Sequence, residues 1–207
     1  MDIIYLPEIQ QKQRDTITPL LHEWNNEVNK LLGDSANPKK IVFNNYFLIP
    51  ETGTGGFADD ENVLVLAFDP TFQDTDQQLQ SLKASYFHES YHIAQGWLGD
   101  TVLPPLQESI LEGAATVFER SRAQGKPPWG EYGSAEAMRR LFDQVSQLGP
   151  DYEHKKWKYF DKESGEKWIL YKVGTFVVDE ALRQNPNLTI EILADKTYKE
   201  IIEHSRL

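Results

Sequence analysis

The sequence predicts a single α+β domain that is mainly helical. Three observations lead to this prediction. Apolar residues recur at helical spacing over most of the chain. Runs typical of β-strands are confined to residues 41–68. No repeat, low-complexity tract or linker divides the 207 residues, which suffice for one hydrophobic core.

The N-terminal third is predicted to hold a long helix followed by two strands. Apolar residues fall at helical spacing over residues 7–32, and Gly33 provides a stop. A strand is predicted at residues 41–49. Residues 51–62 are rich in turn-forming residues. The apolar run VLVLAF at residues 63–68 has the length and composition of a buried strand.

The remainder is predicted to be helical, with one exception. The polar and charged residues 151–167 are predicted to form a surface loop. The predicted helices span residues 75–97, 105–124 and 134–149, followed by two closing helices at residues 168–185 and 188–205.

Composition and charge exclude several classes of function. The net charge is −11, which disfavours nucleic acids and anionic membranes as partners. The chain has no cysteine, so any metal ligands must come from His, Asp and Glu. The N-terminal residues do not resemble a secretory signal, and no apolar run is long enough to span a membrane. We therefore expect a cytoplasmic protein, and its oligomeric state stays open.

The predicted helix at residues 75–97 carries the motif HESYH, which has the HExxH pattern. Positions i and i+4 of a helix lie about 40° apart around its axis, so His88 and His92 would present two imidazoles on one face. Two such imidazoles can provide two ligands of a tetrahedral zinc site. Glu89 lies beside them, where it could act as a general base.

A third protein ligand is needed if the fourth position is to stay open for water. The metzincin pattern is excluded, because Gln95 and Leu98 stand where it requires Gly and His. If the two helices form a hairpin that turns near Val102, Glu112 faces His92, whereas Glu108 lies one turn nearer the loop. The spacing favours Glu112 among the candidates Asp100, Glu108, Glu112 and Glu119.

Two stretches of small residues bear on this site. EGAA at residues 112–115 would keep the helix surface thin and allow a neighbouring helix to approach closely. GTGGFADD at residues 53–60 could place an exposed strand edge at a cleft, where an extended peptide would add as a further strand. An ordinary hairpin turn is the alternative interpretation of the second stretch.

The motif HESYH followed by Glu112 resembles the gluzincin class of zinc peptidases. More narrowly, the chain resembles a bacterial family of uncharacterised proteins predicted to be zinc-dependent proteases. The resemblance runs from about Gly55 to the C-terminus. It is carried by HESYH, LPPLQESILEGAATVFE, WILYKVGTFVVDEAL and YKEIIEHS.

This resemblance implies a zincin-like core, in which a small sheet packs on the HExxH helix and on the glutamate helix. It implies that His88, His92 and Glu112 bind Zn²⁺ and that Glu89 is the base. It further implies a Tyr or His that donates a hydrogen bond to the developing oxyanion. Tyr171 is the candidate donor and His154 the alternative, whereas Tyr86 and Tyr91 are expected to pack in the core.

The sequence thus predicts a zinc metalloprotease that hydrolyses peptide bonds, with a peptide or protein as its substrate. Two alternatives stay open. One is a zinc hydrolase that acts on a non-peptide amide. The other is a non-catalytic peptide-binding or regulatory protein that retains the fold, although an intact Glu89 argues against it, since binding alone requires no base.

Overall fold

A computed structural model describes residues 1–97 and 103–207. Contacts between Cα atoms divide the chain into two compact units. The first contains residues 1–101 and 121–125, and the second contains residues 102–120 and 126–207. Compact units of this kind also occur within single domains, so the single domain stays a prediction. The architecture is α+β and mainly helical, as predicted.

The first unit contains a four-stranded sheet with the strand order β1-β2-β4-β3. Strands β1, β2 and β4 are mutually parallel, whereas β3 pairs with β4 in an antiparallel hairpin. Helices α1 and α2 pack on each other, and α2 also packs on β3 and β4. The elements are β1 (Asp2–Ile4), α1 (Gln11–Leu32), β2 (Lys40–Asn44), β3 (Thr54–Asp60), β4 (Val63–Phe68) and α2 (Thr75–Gln95).

The structure corrects two strand predictions and decides between two alternatives for a third segment. The strand predicted at residues 41–49 ends at Asn44. Residues 53–60, for which a strand edge and a hairpin turn were both open, contain strand β3, because pairing with β4 outweighs the low strand propensity of its two glycines. The three-residue strand β1 was not predicted, since it is too short to show a period. The buried strand at residues 63–68 is confirmed as β4.

Helix α2 has clear start and stop signals. The side chain of Asp74 caps its N-terminus by accepting a hydrogen bond from the Gln77 backbone N–H. Gly96 ends it in a left-handed conformation with φ +67°, and its N–H donates to the carbonyls of His92 and Ile93. The helix therefore ends two residues before the predicted Trp97.

The second unit is helical. Helix α6 packs on α4, α5 and α8. The helices are α3 (Pro105–Arg122), α4 (Ala135–Ser146), α5 (His154–Lys158), α6 (Ile169–Gln184), α7 (Ile190–Leu193) and α8 (Tyr198–Ser205). None of the helices in the described part of the chain is long and apolar enough to cross a membrane.

Two of the predictions for this unit are wrong. The predicted loop at residues 151–167 contains the short helix α5 and an antiparallel bridge between Phe160 and Lys167. The last predicted helix is divided into α7 and α8. The division occurs because the Thr197 side chain accepts a hydrogen bond from the Glu200 N–H and the Glu200 carboxylate accepts one from the Thr197 N–H, so a new helix starts there.

A contact between two glycines sets the distance between α3 and α6. A Cβ atom added to Gly113 would overlap the backbone of Gly174 and Thr175, and one added to Gly174 would overlap the Ser109 carbonyl. The Ser109 hydroxyl donates to the carbonyl of Leu170 at 2.6 Å. Gly113, the small residue directly after Glu112, therefore lets α6 approach α3 closely.

Candidate metal centre

The two histidines of the HExxH motif converge on one face of α2. His88 and His92 are both buried, and their Nε2 atoms lie 3.1 Å apart. Their rings meet edge to face, with centroids 4.8 Å apart. Two buried ring nitrogens aimed at the same point provide two ligand atoms for one cation.

Gln95 fixes the orientation of the His92 ring. Its side-chain oxygen lies 3.1 Å from Nδ1 of His92. Gln95 is the last residue of α2, so His92 lies about one turn before the end of the helix. A proton on Nδ1 that is donated to this oxygen leaves the lone pair of Nε2 available for a metal. The indole ring of Trp97 packs edge-on against the same imidazole, with centroids 4.6 Å apart.

Glu89 is buried against strand β3. A Cβ atom added to Gly56 would lie 3.0 Å from Cγ of Glu89 and 3.0 Å from the carbonyl oxygen of Val65. The absence of a side chain at Gly56 therefore gives the stem of Glu89 its space, and β3 passes directly beside the predicted base.

Glu112 supplies the third group. The ligand atoms of His88, His92 and Glu112 all lie within 4.8 Å of one another, and all three residues are buried. Within residues 1–97 and 103–207, no other group of three or more such side chains is found. Two imidazoles and a carboxylate without a thiolate suit Zn²⁺, and three ligands leave one tetrahedral position open. The residues present therefore fit a zinc ion.

Two of the other three candidate ligands, Glu108 and Glu119, lie outside this group. Asp100 falls outside the described residues, as does Val102, where the hairpin was predicted to turn. Glu119 is buried in α3 but does not belong to the group. Glu108 is buried and accepts hydrogen bonds from other side chains, and the structure places Glu112, not Glu108, with the histidines.

Three donors from the segment 152–158 converge on Glu108. The Tyr152 hydroxyl lies 2.8 Å from one carboxylate oxygen, and His154 Nε2 lies 3.0 Å from the other. Lys158 Nζ lies 2.7 Å from the same oxygen as His154. His154 is thus bound to Glu108, and its side chain is 45% exposed. The segment that was predicted to be a solvated loop is attached to α3.

Lys158 also reaches Glu112. Its Nζ lies 2.9 Å from Oε1 of Glu112, and it forms ion pairs with both glutamates at once. Burial disfavours the charged amine and lowers the pKa of Lys158. The negative charges of Glu112 and Glu108 outweigh this effect and raise the pKa well above its usual range. Lys158 therefore keeps its positive charge beside a predicted metal ligand.

Tyr171 lies next to the same glutamate. Burial raises the pKa of its hydroxyl, and the negative charge of Glu112 and a hydrogen bond to its carboxylate raise it further. Its ring lies 5.8 Å from Lys158 Nζ and contacts the ring of Trp168 edge-on, with centroids 5.8 Å apart. The structure thus brings Tyr171 beside Glu112, whereas its catalytic role stays a prediction.

Two other tyrosines near the motif pack in the core, as expected. Tyr86 and Tyr91 are fully buried. The Tyr86 hydroxyl donates to the side-chain oxygen of Asn25 on α1 at 2.9 Å.

Sequence reasoning missed four residues of this region. Lys158 and Tyr152 were assigned to a solvated loop, and no periodicity in so short a helix separates Lys158 from its neighbouring lysines. Gln95 was considered only as a mismatch to another motif, although its i+3 spacing from His92 is a usable signal for a hydrogen bond. Gly56 was assigned to the strand edge, but its contact with Glu89 depends on the tertiary fold.

Comparison of the chain with protein-family models, with curated proteins and with solved structures finds no match. The resemblance to gluzincins therefore stays a prediction, and the case for a metal centre depends on the geometry of the residues themselves.

Proposed function

We propose that the protein is a zinc-dependent peptidase in which His88, His92 and Glu112 hold one Zn²⁺ ion. A single observation carries the proposal: the three side chains are buried with their ligand atoms within 4.8 Å of one another. Structural zinc sites use four protein ligands, whereas catalytic sites use three and keep one position open. The set of three ligands found in residues 1–97 and 103–207 therefore favours catalysis.

In this proposal Glu89 is the general base. When bound, Zn²⁺ would polarise the substrate carbonyl and make a water molecule more acidic. The Glu89 carboxylate accepts a proton from the attacking water and then passes it to the nitrogen of the leaving amine. The missing side chain at Gly56 leaves room for the stem of Glu89 beside β3.

Tyr171 is the proposed donor to the developing oxyanion. A tyrosine hydroxyl is protonated at neutral pH even at its ordinary pKa of about 10, so it can donate, and burial raises the pKa of Tyr171 further. Its position beside Glu112 supports this role over that of His154, which binds Glu108. A donor aimed at developing charge contributes roughly 10²-fold or more to the rate.

The position of β3 supports an extended peptide as the substrate. The strand stands at one end of the sheet order, and among the described strands it pairs only with β4, apart from the single bridge between Ile49 and Thr54. A peptide that added to this edge would run past Gly56 and therefore past Glu89. A gluzincin-like core is part of the same proposal.

The proposal is tested by metal analysis together with cleavage of a peptide library. We expect about one tightly bound zinc ion per chain, loss of activity on chelation and a lower melting temperature without the ion. Metal-free protein whose melting temperature does not change in added Zn²⁺ would contradict the metal site.

Glu89→Gln separates the base from the ligands. The variant should keep zinc and lose nearly all turnover, because the amide preserves the shape but accepts no proton. Glu61→Gln, which changes an exposed glutamate between β3 and β4, is the matched control and should keep full activity. Loss of zinc from Glu89→Gln would show a ligand or structural role. A zinc-loaded wild type that cleaves no peptide would favour a non-peptide amide as substrate, or a non-catalytic protein.

A further inference from the structure

A lysine lies between two buried glutamates on consecutive turns of α3. Lys158 Nζ is 2.7 Å from Glu108 Oε1 and 2.9 Å from Glu112 Oε1. The lysine side chain is 14% exposed, and the two glutamate side chains are 5% exposed. One of the two glutamates belongs to the metal group and the other does not.

We propose that Lys158 is a positioning residue that sets the cation affinity of the His88–His92–Glu112 group. Its ammonium holds one oxygen of Glu112 and offsets part of the negative charge of that ligand. The group therefore binds its cation less tightly than two imidazoles and an unopposed carboxylate would. This inference rests on the proposed metal site.

Glu108 supports the lysine in this role. It is not a member of the metal group, yet three donors from Tyr152, His154 and Lys158 bind its carboxylate. These contacts tie the segment that carries Lys158 to the first turns of α3. Outer partners of a metal ligand orient it and alter its donor strength, and their loss changes metal affinity by about 10–100-fold.

The charges predict effects of opposite sign for the two partners. Removing the positive charge of Lys158 takes one counter-charge away from Glu112 and should increase the affinity for a cation. Removing the negative charge of Glu108 takes away one of the two carboxylates that share the ammonium, so the ammonium acts more strongly on Glu112 and the cation affinity should decrease. A purely structural ion pair predicts no such opposition, because loss of either partner would disturb the site in the same direction.

The experiment measures the zinc affinity of the full chain by competition with a chelating dye at fixed pH and salt. We expect zinc binding about tenfold tighter in Lys158→Met and about tenfold weaker in Glu108→Gln. Lys158→Arg keeps the charge and should stay near the wild-type value. Lys156→Met is the matched control on the same helix, since Lys156 pairs with Glu163 at 2.6 Å, and it should change nothing.

Circular dichroism of the metal-free variants checks their folding. If Lys158→Met does not fold, it is replaced by Lys158→Gln, which loses the charge but keeps a polar end. Glu108→Gln tests the effect of opposite sign independently. Zinc affinities that fall in both the lysine and the glutamate variants, or that do not change, would overturn the assignment of Lys158.

The outcome is distinguishable from failure of the proposed function. If the wild type binds zinc and cleaves peptides while the variants keep its affinity, the role of Lys158 is overturned and the peptidase stands. If affinities shift with the expected signs but no peptide is cleaved, Lys158 keeps its role and the peptidase is overturned. A wild type that binds no zinc overturns both.

Discussion

The histidine pair on α2 and the glutamate on α3 are fixed by interactions of different range. His88 and His92 lie four residues apart on one helix, and the partner of His92, Gln95, lies three residues further on. Glu108 and Glu112, in contrast, are held by Lys158, which lies 50 residues from Glu108 along the chain.

The histidine pair and the glutamate are therefore expected to be disturbed by different kinds of mutation. Two imidazoles on consecutive turns stay aligned as long as α2 is helical, and α2 is closed at both ends by Asp74 and Gly96. The glutamate side requires α3, α5 and α6 to be packed together. A change far from Glu112 in the sequence can therefore disturb it, whereas a comparable change should leave the histidine pair in place.

The largest expected effect comes from Glu112, the proposed ligand that is held by contacts distant in the sequence. Glu112→Gln removes one of the three proposed ligands and should weaken zinc binding by well over 100-fold, because loss of an outer partner alone costs about 10–100-fold. Glu108→Gln should keep zinc with an affinity about tenfold lower. Titration of both variants with a chelator of known affinity measures the difference.

Equal zinc loss from the two variants would contradict this assignment. It would mean that Glu108 contributes as much as Glu112 and that the ligand group has been wrongly identified.

The different ranges also explain which parts of the site could be predicted. HExxH is a local pattern, so His88, Glu89 and His92 could be identified from helical spacing alone. Glu112 was favoured by its distance from His92, and the structure places it with the histidines. Lys158 could not be found, because its two partners lie on another helix and its neighbours in the sequence are also charged.

The next largest effect concerns turnover and not binding. Tyr171→Phe removes a hydroxyl beside Glu112 and should lower kcat by roughly 10²-fold while the zinc content stays the same. Steady-state kinetics and metal analysis on the same preparation measure the two quantities. Tyr86→Phe is the control, since it removes another buried hydroxyl, bonded to Asn25, and should affect stability alone.

A variant with normal kcat and a lower melting temperature would show that Tyr171 is only a core aromatic residue. The oxyanion donor would then have to be sought elsewhere.

A third prediction concerns the packing of α3, which carries Glu112, against α6. Gly113→Ala places a methyl group into the backbone of Gly174, so α3 and α6 must separate. We expect a loss of about 1–3 kcal/mol in the free energy of unfolding, measured in urea, and a weaker zinc affinity because α3 carries Glu112. Gly133→Ala, where nothing lies within 4 Å of the added atom, should stay within about 0.5 kcal/mol of the wild type.

Unchanged stability of Gly113→Ala would show that the two helices can separate without cost. The glycine contact would then not hold α3 in place.

The elements of the fold differ in the same way: some are determined by their local sequence, and others depend on contacts with distant residues. Long helices with caps, such as α1 and α2, were predicted within a few residues of their bounds. For strand β3 the sequence left a strand edge and a hairpin turn open, because its glycines signal a turn locally and only pairing with β4 makes it a strand. Helix α5 has five residues, too few for helical periodicity to appear, and its position depends on contacts with Glu108.

The smallest expected effect concerns the histidine pair on α2, which is held by interactions within one helix. Gln95→Leu removes the oxygen that lies 3.1 Å from Nδ1 of His92, so the ring loses the partner that sets its proton and its orientation. Because His88 and the helix itself still align the ring, zinc affinity should fall by only about tenfold, the lower end of the range for such partners. The same dye competition measures it. Gln80→Leu is the matched control, since it removes another glutamine of α2, bonded to the Ala123 carbonyl, and should leave zinc affinity unchanged. A loss as large as that of Glu112→Gln would show that the histidine pair depends on its surroundings as strongly as the glutamate does, and the contrast between the two sides would disappear.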